Sequence, residues 1–332
     1  MIAAAFDAKL GGAIVHARLH TVSFLLILIV VSLSGCGSNP VVGVLLPTSG
    51  DAASYGESMK KAIDMALAEA EASGSLPANF SVVWGDSGSD PEKGRAEIRR
   101  LAGQGAKLII AGTTSGTARA FLPELEDSDV IALSPSASAP TLTKDSRRFF
   151  RLFASDELEG QRAGRFLIEH QNSTSVLIFS QDSEQARGIE PFFRQVYEGA
   201  MGGTVVGRVM IGEENWHENC ADLLASRQPE SIYIIAYADK TVEVLEHIRA
   251  KGYTGTVCAT SAFYSGEVIE QEAELVDGVF FPQPAFEIQS DLPVIRNFVD
   301  SFRERFGHDP DIYAAHAYDA MRVALEIPGI VR

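Results

Sequence analysis

Val41-Val42-Gly43-Val44-Leu45-Leu46 is an unbroken apolar run, closed by Pro47-Thr48-Ser49-Gly50. A run this short and without alternation reads as a strand buried on both faces, the kind that parallel sheets use. Beyond the Ser49-Gly50-Asp51 turn, Met59, Ala62, Ile63, Ala66, Leu67 and Ala70 recur at helical spacing and mark one face of a helix. Strands are then expected at 80–84, 108–111 and 130–133, with helices at 90–102 and 116–125 between them. After Arg151 the rhythm resumes with helices at 157–170, 189–199, 218–226 and 240–251. These alternate with strands at 176–179, 205–210, 232–236 and 255–259. Such alternation means parallel sheets covered by helices on both faces. A single sheet with so many strands would be unusually wide, so an α/β chain of two doubly wound lobes is expected.

Two crossings between the lobes are expected, at 149–155 and at 281–286 with its Pro282 and Pro284. The second returns the chain to the first lobe for helices at 292–306 and 312–325. This is a domain inserted within a domain, with a cleft between them. The expected division is a leader at 1–35, lobe one from 36–150, lobe two from 151–282, and the return to lobe one at 283–332. No internal repeat or low-complexity segment interrupts it.

Bulk composition narrows the function classes. The chain has 332 residues, 46% hydrophobic and 22% charged, a globular rather than disordered mixture. At roughly 150 residues per domain, that length suits two domains. With 44 acidic against 28 basic side chains and a formal charge of −16, nucleic-acid binding is disfavoured. The 3 cysteines are too few for a disulfide framework.

The first residues carry an address. From Thr21 to Leu33 the sequence is apolar except for Ser23 and Ser32, too short for a spanning helix but suited to the core of a secretory signal. Lys9, Arg18 and two histidines precede it, in an unusually long leader whose true start is read as lying downstream of Met1. Leu33-Ser34-Gly35-Cys36 follows and resembles the bacterial lipobox, which implies cleavage before Cys36 and diacylation of its thiol. The plainer alternative is an ordinary signal peptide cut near Gly35 or Gly37. Two or more acyl chains anchor stably, so the lipobox reading places the mature chain on a membrane, outside the cytoplasm. Removing Asp7, Lys9 and Arg18 with the leader takes away two cations and one anion and moves the charge from −16 to −17. In that oxidising compartment Cys220 and Cys258 either pair or remain as two buried thiols.

In open α/β sheets, ligands sit beyond the carboxyl ends of the strands. Four loops there are conspicuous: Thr48-Ser49-Gly50 through Tyr55-Gly56; Gly112-Thr113-Thr114-Ser115-Gly116-Thr117, which opens a helix; Ser134-Pro135-Ser136-Ala137-Ser138; and Tyr237-Ala238-Asp239. Hydroxyls and free N–H groups at a helix N-terminus suit carboxylate or phosphate. Neither nucleotide fingerprint, G-x-G-x-x-G or G-x-x-x-x-G-K-[ST], is present, nor a G-x-S-x-G elbow. His170, His217, His247, His308 and His316 are scattered, without metal-ligand spacing. Taken alone, each loop hydroxyl reads as a helix cap or turn residue.

Together these segments resemble a known family. Val42-Gly43-Val44-Leu45-Leu46-Pro47-Thr48-Ser49-Gly50, Tyr55-Gly56, Asp86 with Ser89-Asp90-Pro91, and Ser134-Pro135-Ser136-Ala137-Ser138-Ala139-Pro140 look like type I periplasmic substrate-binding proteins. Within these, the leucine/isoleucine/valine-binding branch of ABC importers is the nearest in pattern. Phe150-Arg151-Leu152, Ser155-Asp156 and Ala317-Tyr318-Asp319-Ala320 fit it too, and the likeness runs in order from 40 to 325. The resemblance implies two Rossmann-like lobes that hinge shut on a ligand, with no cofactor and no metal. It places carboxylate contacts on Ser115, Ser136 and Ser138, and covering aromatics on Tyr55, Tyr237 and Tyr313.

Two family positions are altered. The acid that pairs a ligand ammonium aligns with Ser261, and a cleft tyrosine aligns with Gln185, in Asp182-Ser183-Glu184-Gln185. A buried ammonium without a partner is costly, so Asp182, Glu184 or Asp239 replaces the acid, or the ligand lacks an amine. The chain ends at Arg332, a few dozen residues short of the family's usual end, so a fragment or a degenerate copy is expected, with a looser hinge and exposed apolar helix surface.

The function implied is a lipid-anchored receptor that delivers a small carboxylate-bearing ligand, such as an amino acid, to ABC permease subunits. The alternative is a non-transport lipoprotein of the same fold, such as an activator of a peptidoglycan synthase or a sensor. An enzyme is disfavoured for want of a nucleophile, metal cluster or phosphate loop.

Overall fold

The computed structural model describes residues 39–77, 79–265, 268 and 271–327. The leader, Cys36 and Arg332 lie outside the described residues. The first sheet is built from β1 (Val41–Leu46), β2 (Ser81–Asp86), β3 (Leu108–Ile110), β4 (Ile131–Ser134) and β5 (Phe149–Arg151), parallel throughout, in the order β2-β1-β3-β4-β5. Successive side chains of a strand face opposite ways. Val42, Val44 and Leu46 therefore enter one core and Leu45 the other. The helices of this lobe are α1 (Ala53–Ala72), α2 (Pro91–Gly103), α3 (Ser115–Glu126) and α4 (Pro140–Asp145).

The second sheet uses β6 (Ser175–Gln181), β7 (Thr204–Ile211), β8 (Ser231–Ile235), β9 (Thr256–Ala259) and β10 (Val279–Phe280), in the order β10-β9-β8-β6-β7 and again parallel. It is covered by α5 (Asp156–Glu169) and α6 (Glu184–Arg194) on one face, and by α7 (Trp216–Arg227) and α8 (Ala238–Ala250) on the other. A short helix α9 (Ala273–Val276) precedes β10. The chain then returns to the first sheet, where α10 (Pro293–Phe306) and α11 (Ile312–Glu326) pack beside α1. The two doubly wound parallel sheets expected from the sequence are both present.

Several boundaries differ from expectation. Residues 149–151, read as part of a crossing, form β5, the edge strand of the first sheet. The helix expected at 189–199 begins at Glu184, because the Ser183 hydroxyl caps it by accepting from the Ala186 N–H at 3.1 Å. It runs on into a π-helical turn, Gln195–Ala200. The helix α4 was not anticipated; Pro140 at its first position starts it. Cys220 and Cys258 are both free and buried, in the cores on opposite faces of the second sheet, so they are two thiols and not a disulfide. No helix among the described residues is long and apolar enough to cross a membrane.

One close approach sets up the cleft. A Cβ on Gly56 would lie 1.9 Å from the Pro47 carbonyl oxygen, so only glycine lets the start of α1 press against the end of β1. That contact holds the neighbouring Tyr55 at the gap between the sheets.

Candidate functional site

The strand ends of both sheets meet at a small buried cavity. Its lining includes Tyr55, Ser115, Ser136 and Ser138 from the first lobe, Gln185, Tyr237 and Ser261 from the second, and Tyr313 from the returning segment. These are all eight ligand-contact positions read from the sequence. The structure refines where they sit. Tyr55 stands in the first turn of α1 rather than in a loop, Tyr313 in the first turn of α11, and Gln185 in the first turn of α6. Tyr237 is the residue immediately before α8, and Ser261 opens a 3-10 turn after β9.

Local hydrogen bonds orient the first-lobe wall. The Thr114 hydroxyl caps α3, accepting from the Thr117 N–H. The Ser115 hydroxyl accepts from the Ser138 and Ala139 N–H groups, each at 3.2 Å, which joins the second and third loops. The Ser136 hydroxyl donates to the Thr113 carbonyl at 2.7 Å, so its proton stays within the wall. The hydroxyl of Ser49 and the N–H of Thr48 are also taken, both by Asp86. Despite partial desolvation, these donors, with the Gly88 N–H and Lys93, hold the Asp86 carboxyl well below the usual carboxylate range.

The middle of the cleft is filled by aromatic rings. Tyr55 meets Tyr313 edge-on at 4.7 Å between centroids, and Phe153 stacks on Tyr313 at 6.1 Å. Tyr237 lies 6.5 Å from Tyr55. The cavity left is about 20 Å³, room for about one water molecule. The open gap with facing hydroxyls that the sequence suggested is thus a closed one, plugged by the chain's own side chains. Outside it, an interlobe groove of about 510 Å³ runs past Tyr55, Thr114 and Tyr237.

Three side chains matter here to which the sequence reading gave no site role, although Asp156 was among the residues quoted for the family likeness. Phe153 supplies a ring of the plug from the first crossing. Asp156 and Glu159, in the first turn of α5, are buried behind the cavity. No local pattern in the sequence marks either as buried, because their burial comes from how α5 packs. Both oxygens of Glu159 are held by Ser261: Oε1 accepts from its N–H and Oε2 from its hydroxyl, each at 2.7 Å. Burial pushes the Glu159 carboxyl up to about 7, and the Ser261 donors only partly offset this. Burial raises Asp156 well above the usual range, with the neighbouring Glu159 adding to the shift. Neither Asp156 oxygen has a hydrogen bond of normal geometry, although the Ser138 hydroxyl is near enough to favour the charged form.

The substitutes considered for the missing acid lie elsewhere. Asp182, Glu184 and Asp239 line the outer groove and not the small cavity. Asp182 pairs with Arg187 at 2.5 Å, and Glu184 pairs across the lobes with Arg119 at 3.0 Å.

A family model described as periplasmic binding protein matches residues 41–327. A Leu/Ile/Val-binding protein homolog of Brucella abortus is 23% identical over 287 residues, covering 84% of this chain and 75% of that protein. A leucine-binding protein of Thermotoga maritima superposes with a TM-score of 0.78 at 24% identity, covering 86% of this chain and 81% of its own. The branched-chain amino acid binding protein of Streptococcus pneumoniae, solved with isoleucine, gives 0.77 at 21% identity, with 87% and 83% covered. A solute-binding protein of an R. palustris ABC transporter, solved with benzoate, gives 0.74 at 19%, with 87% and 80% covered. At these identities the structural likenesses establish the fold alone.

Proposed function

The chain belongs to the periplasmic binding protein family, of the leucine/isoleucine/valine-binding kind, and from that premise we propose a lipid-anchored extracytoplasmic receptor for an ABC importer. Its ligand is a small carboxylate-bearing molecule such as an amino acid, held between the lobes. The observation that carries this reading is the convergence of Tyr55, Ser115, Ser136, Ser138, Gln185, Tyr237, Ser261 and Tyr313, from distant parts of the chain, on one cavity. The carboxylate belongs at the start of α3, where the Ser115 hydroxyl and the first N–H groups meet the positive end of the helix. Relatives named for amino acids or solved with isoleucine or benzoate support a ligand of this size.

A cavity of about 20 Å³ does not admit such a ligand. Loading therefore requires the two sheets and their covering helices to hinge apart at the crossings that follow β5 and β10. The tyrosines then close over the guest instead of over each other. The test is a thermal-shift screen of amino acids and small carboxylates. A ligand at a hundred times its Kd adds about 2.7 kcal/mol of stability, an easily read shift. The anchor is read from Cys36, and mass spectrometry of membrane-fraction protein should find an acylated N-terminal cysteine.

The aromatic plug favours a second reading, a non-transport lipoprotein of the same fold. A silent screen together with co-purification of a membrane-bound synthase would select it.

A further inference from the structure

Asp156 stands where the two lobes touch. It opens α5 directly after the crossing that follows β5, and its N–H donates to the Ser138 carbonyl of the first lobe at 3.1 Å. Its carboxyl lies against Gly188 of α6 and Pro140 of α4. A Cβ on Gly188 would fall 2.7 Å from the Asp156 Oδ2 and 3.1 Å from the Pro140 Cδ. Pro140 belongs to the first lobe and Gly188 to the second. Parting the lobes therefore uncovers this carboxyl.

In the closed protein the group is sealed. None of the Asp156 surface reaches water, and neither oxygen has a hydrogen bond of normal geometry. Arg151 of β5 and the Ser138 hydroxyl favour its charged form, but Arg151 gives its guanidinium to the Ser138 and Ala139 carbonyls, at 2.6 and 2.9 Å. Two acids act against it: Glu159, buried one turn along α5, and Glu184 of α6, which is itself paired with Arg119 of α3. Arg187, next to Gly188, is taken by Asp182 and Glu184. Tyr233 and Tyr237 also lie within electrostatic reach, and burial keeps both hydroxyls neutral. An ionised carboxylate here would lack water, hydrogen-bond donors and a committed cation, a cost that the neutral acid largely escapes.

We propose that Asp156 is a proton gate on closure: the lobes shut with this carboxyl neutral and part with it ionised, so each capture of a ligand takes up about one proton. The proposal rests on the receptor reading for its ligand and its hinge, and adds regulation to that site. In the open form the carboxyl meets water and behaves as an ordinary acid. The closed form holds the extra proton, so closure is favoured at low pH and lost as pH rises. Across the range where only the closed form is protonated, the ratio of closed to open protein falls by up to about tenfold per pH unit.

The experiment is small-angle scattering of the purified, ligand-free protein from about pH 5 to about pH 8, with the wild type beside Asp156→Asn and Glu159→Gln. The wild-type radius of gyration should grow as pH rises and the open population gains. Asp156→Asn, a neutral isostere, should keep the small radius throughout, while Glu159→Gln should retain a rise. Gly188→Ala keeps the acid but sets a methyl group at the lobe junction. Its radius should be large at every pH, which tests the gate even if Asp156→Asn does not fold. A wild-type radius that ignores pH overturns the gate. So does a slope that survives in Asp156→Asn or Gly188→Ala, or one that disappears only with Glu159→Gln. Calorimetry with L-leucine separates the gate from the receptor reading. Failure to bind at any pH counts against the receptor reading alone, whereas binding of equal strength across the range overturns the gate alone.

Discussion

The Tyr55 hydroxyl reaches across the cleft and donates to the Ala262 carbonyl at 2.7 Å. The same oxygen accepts from the Ala238 N–H, at the start of α8, at 3.1 Å. One phenol on α1 therefore ties the first lobe to two loops of the second, while its ring packs on Tyr313.

Tyr55→Phe keeps the ring and removes both bonds, leaving a buried carbonyl and a buried N–H unpaired in the closed form. The expected cost is about 1–3 kcal/mol. Small-angle scattering of the variant should show a larger radius of gyration than the wild type, as the lobes part more often. The melting temperature should fall by about 2–4 °C per kcal/mol. Unchanged scattering would mean that closure does not depend on this residue.

Glu159 gives stability an unusual pH dependence. Its carboxyl sits near 7 in the folded protein against a reference value of 4.5. Between those values the folded state holds more protons than the unfolded state, so stability falls as pH rises from about 4.5 to about 7. The ceiling of the effect is about 3 kcal/mol. Asp156 is raised too and acts in the same sense. Glu124, lowered to about 2 by Arg99 and Arg95, works oppositely: its contribution is lost only as pH falls from 4.5 toward 2. Urea midpoints should be higher at pH 5 than at pH 8, and Glu159→Gln should flatten much of that difference.

Cys220 and Cys258 should behave as thiols out of reach of reagents. Burial raises both, Cys220 to about 11, so neither is a thiolate at neutral pH. Maleimide labelling without reductant should leave both unmodified in the native protein and modify both in denaturant. Failure to label them in denaturant until a reductant is added would show a disulfide instead.

Much of the site was legible because family order and strand-end loops are properties of the chain read in sequence. Ser115, Ser136, Ser138 and Tyr237 follow strands that announce themselves by their apolar runs. What was not legible depended on groups far apart in sequence. The replacement for an acid at position 261 was sought near the strand-end loops, in Asp182, Glu184 and Asp239. The buried acid that Ser261 hydrogen-bonds, Glu159, comes from the first turn of a helix 102 residues earlier. The Thr48 and Ser49 donors, conspicuous in sequence, turn out to serve Asp86. The boundary misses have local causes: a Ser183 cap outweighed the later apolar spacing of α6, and 149–151 was short enough to read as linker.

Local spacing of apolar side chains and the turn residues that interrupt it settled the alternating α/β plan, the two sheets and the set of loops at their carboxyl ends. Those signals act over a few residues, so they survive in the linear chain. Which donors are already consumed, which carboxylates are cut off from water, and whether tyrosine rings or a guest occupy the gap were decided only by packing the two lobes together. Hydrogen-bond saturation and desolvation arise from the whole set of neighbours around an atom, and no stretch of sequence contains that set.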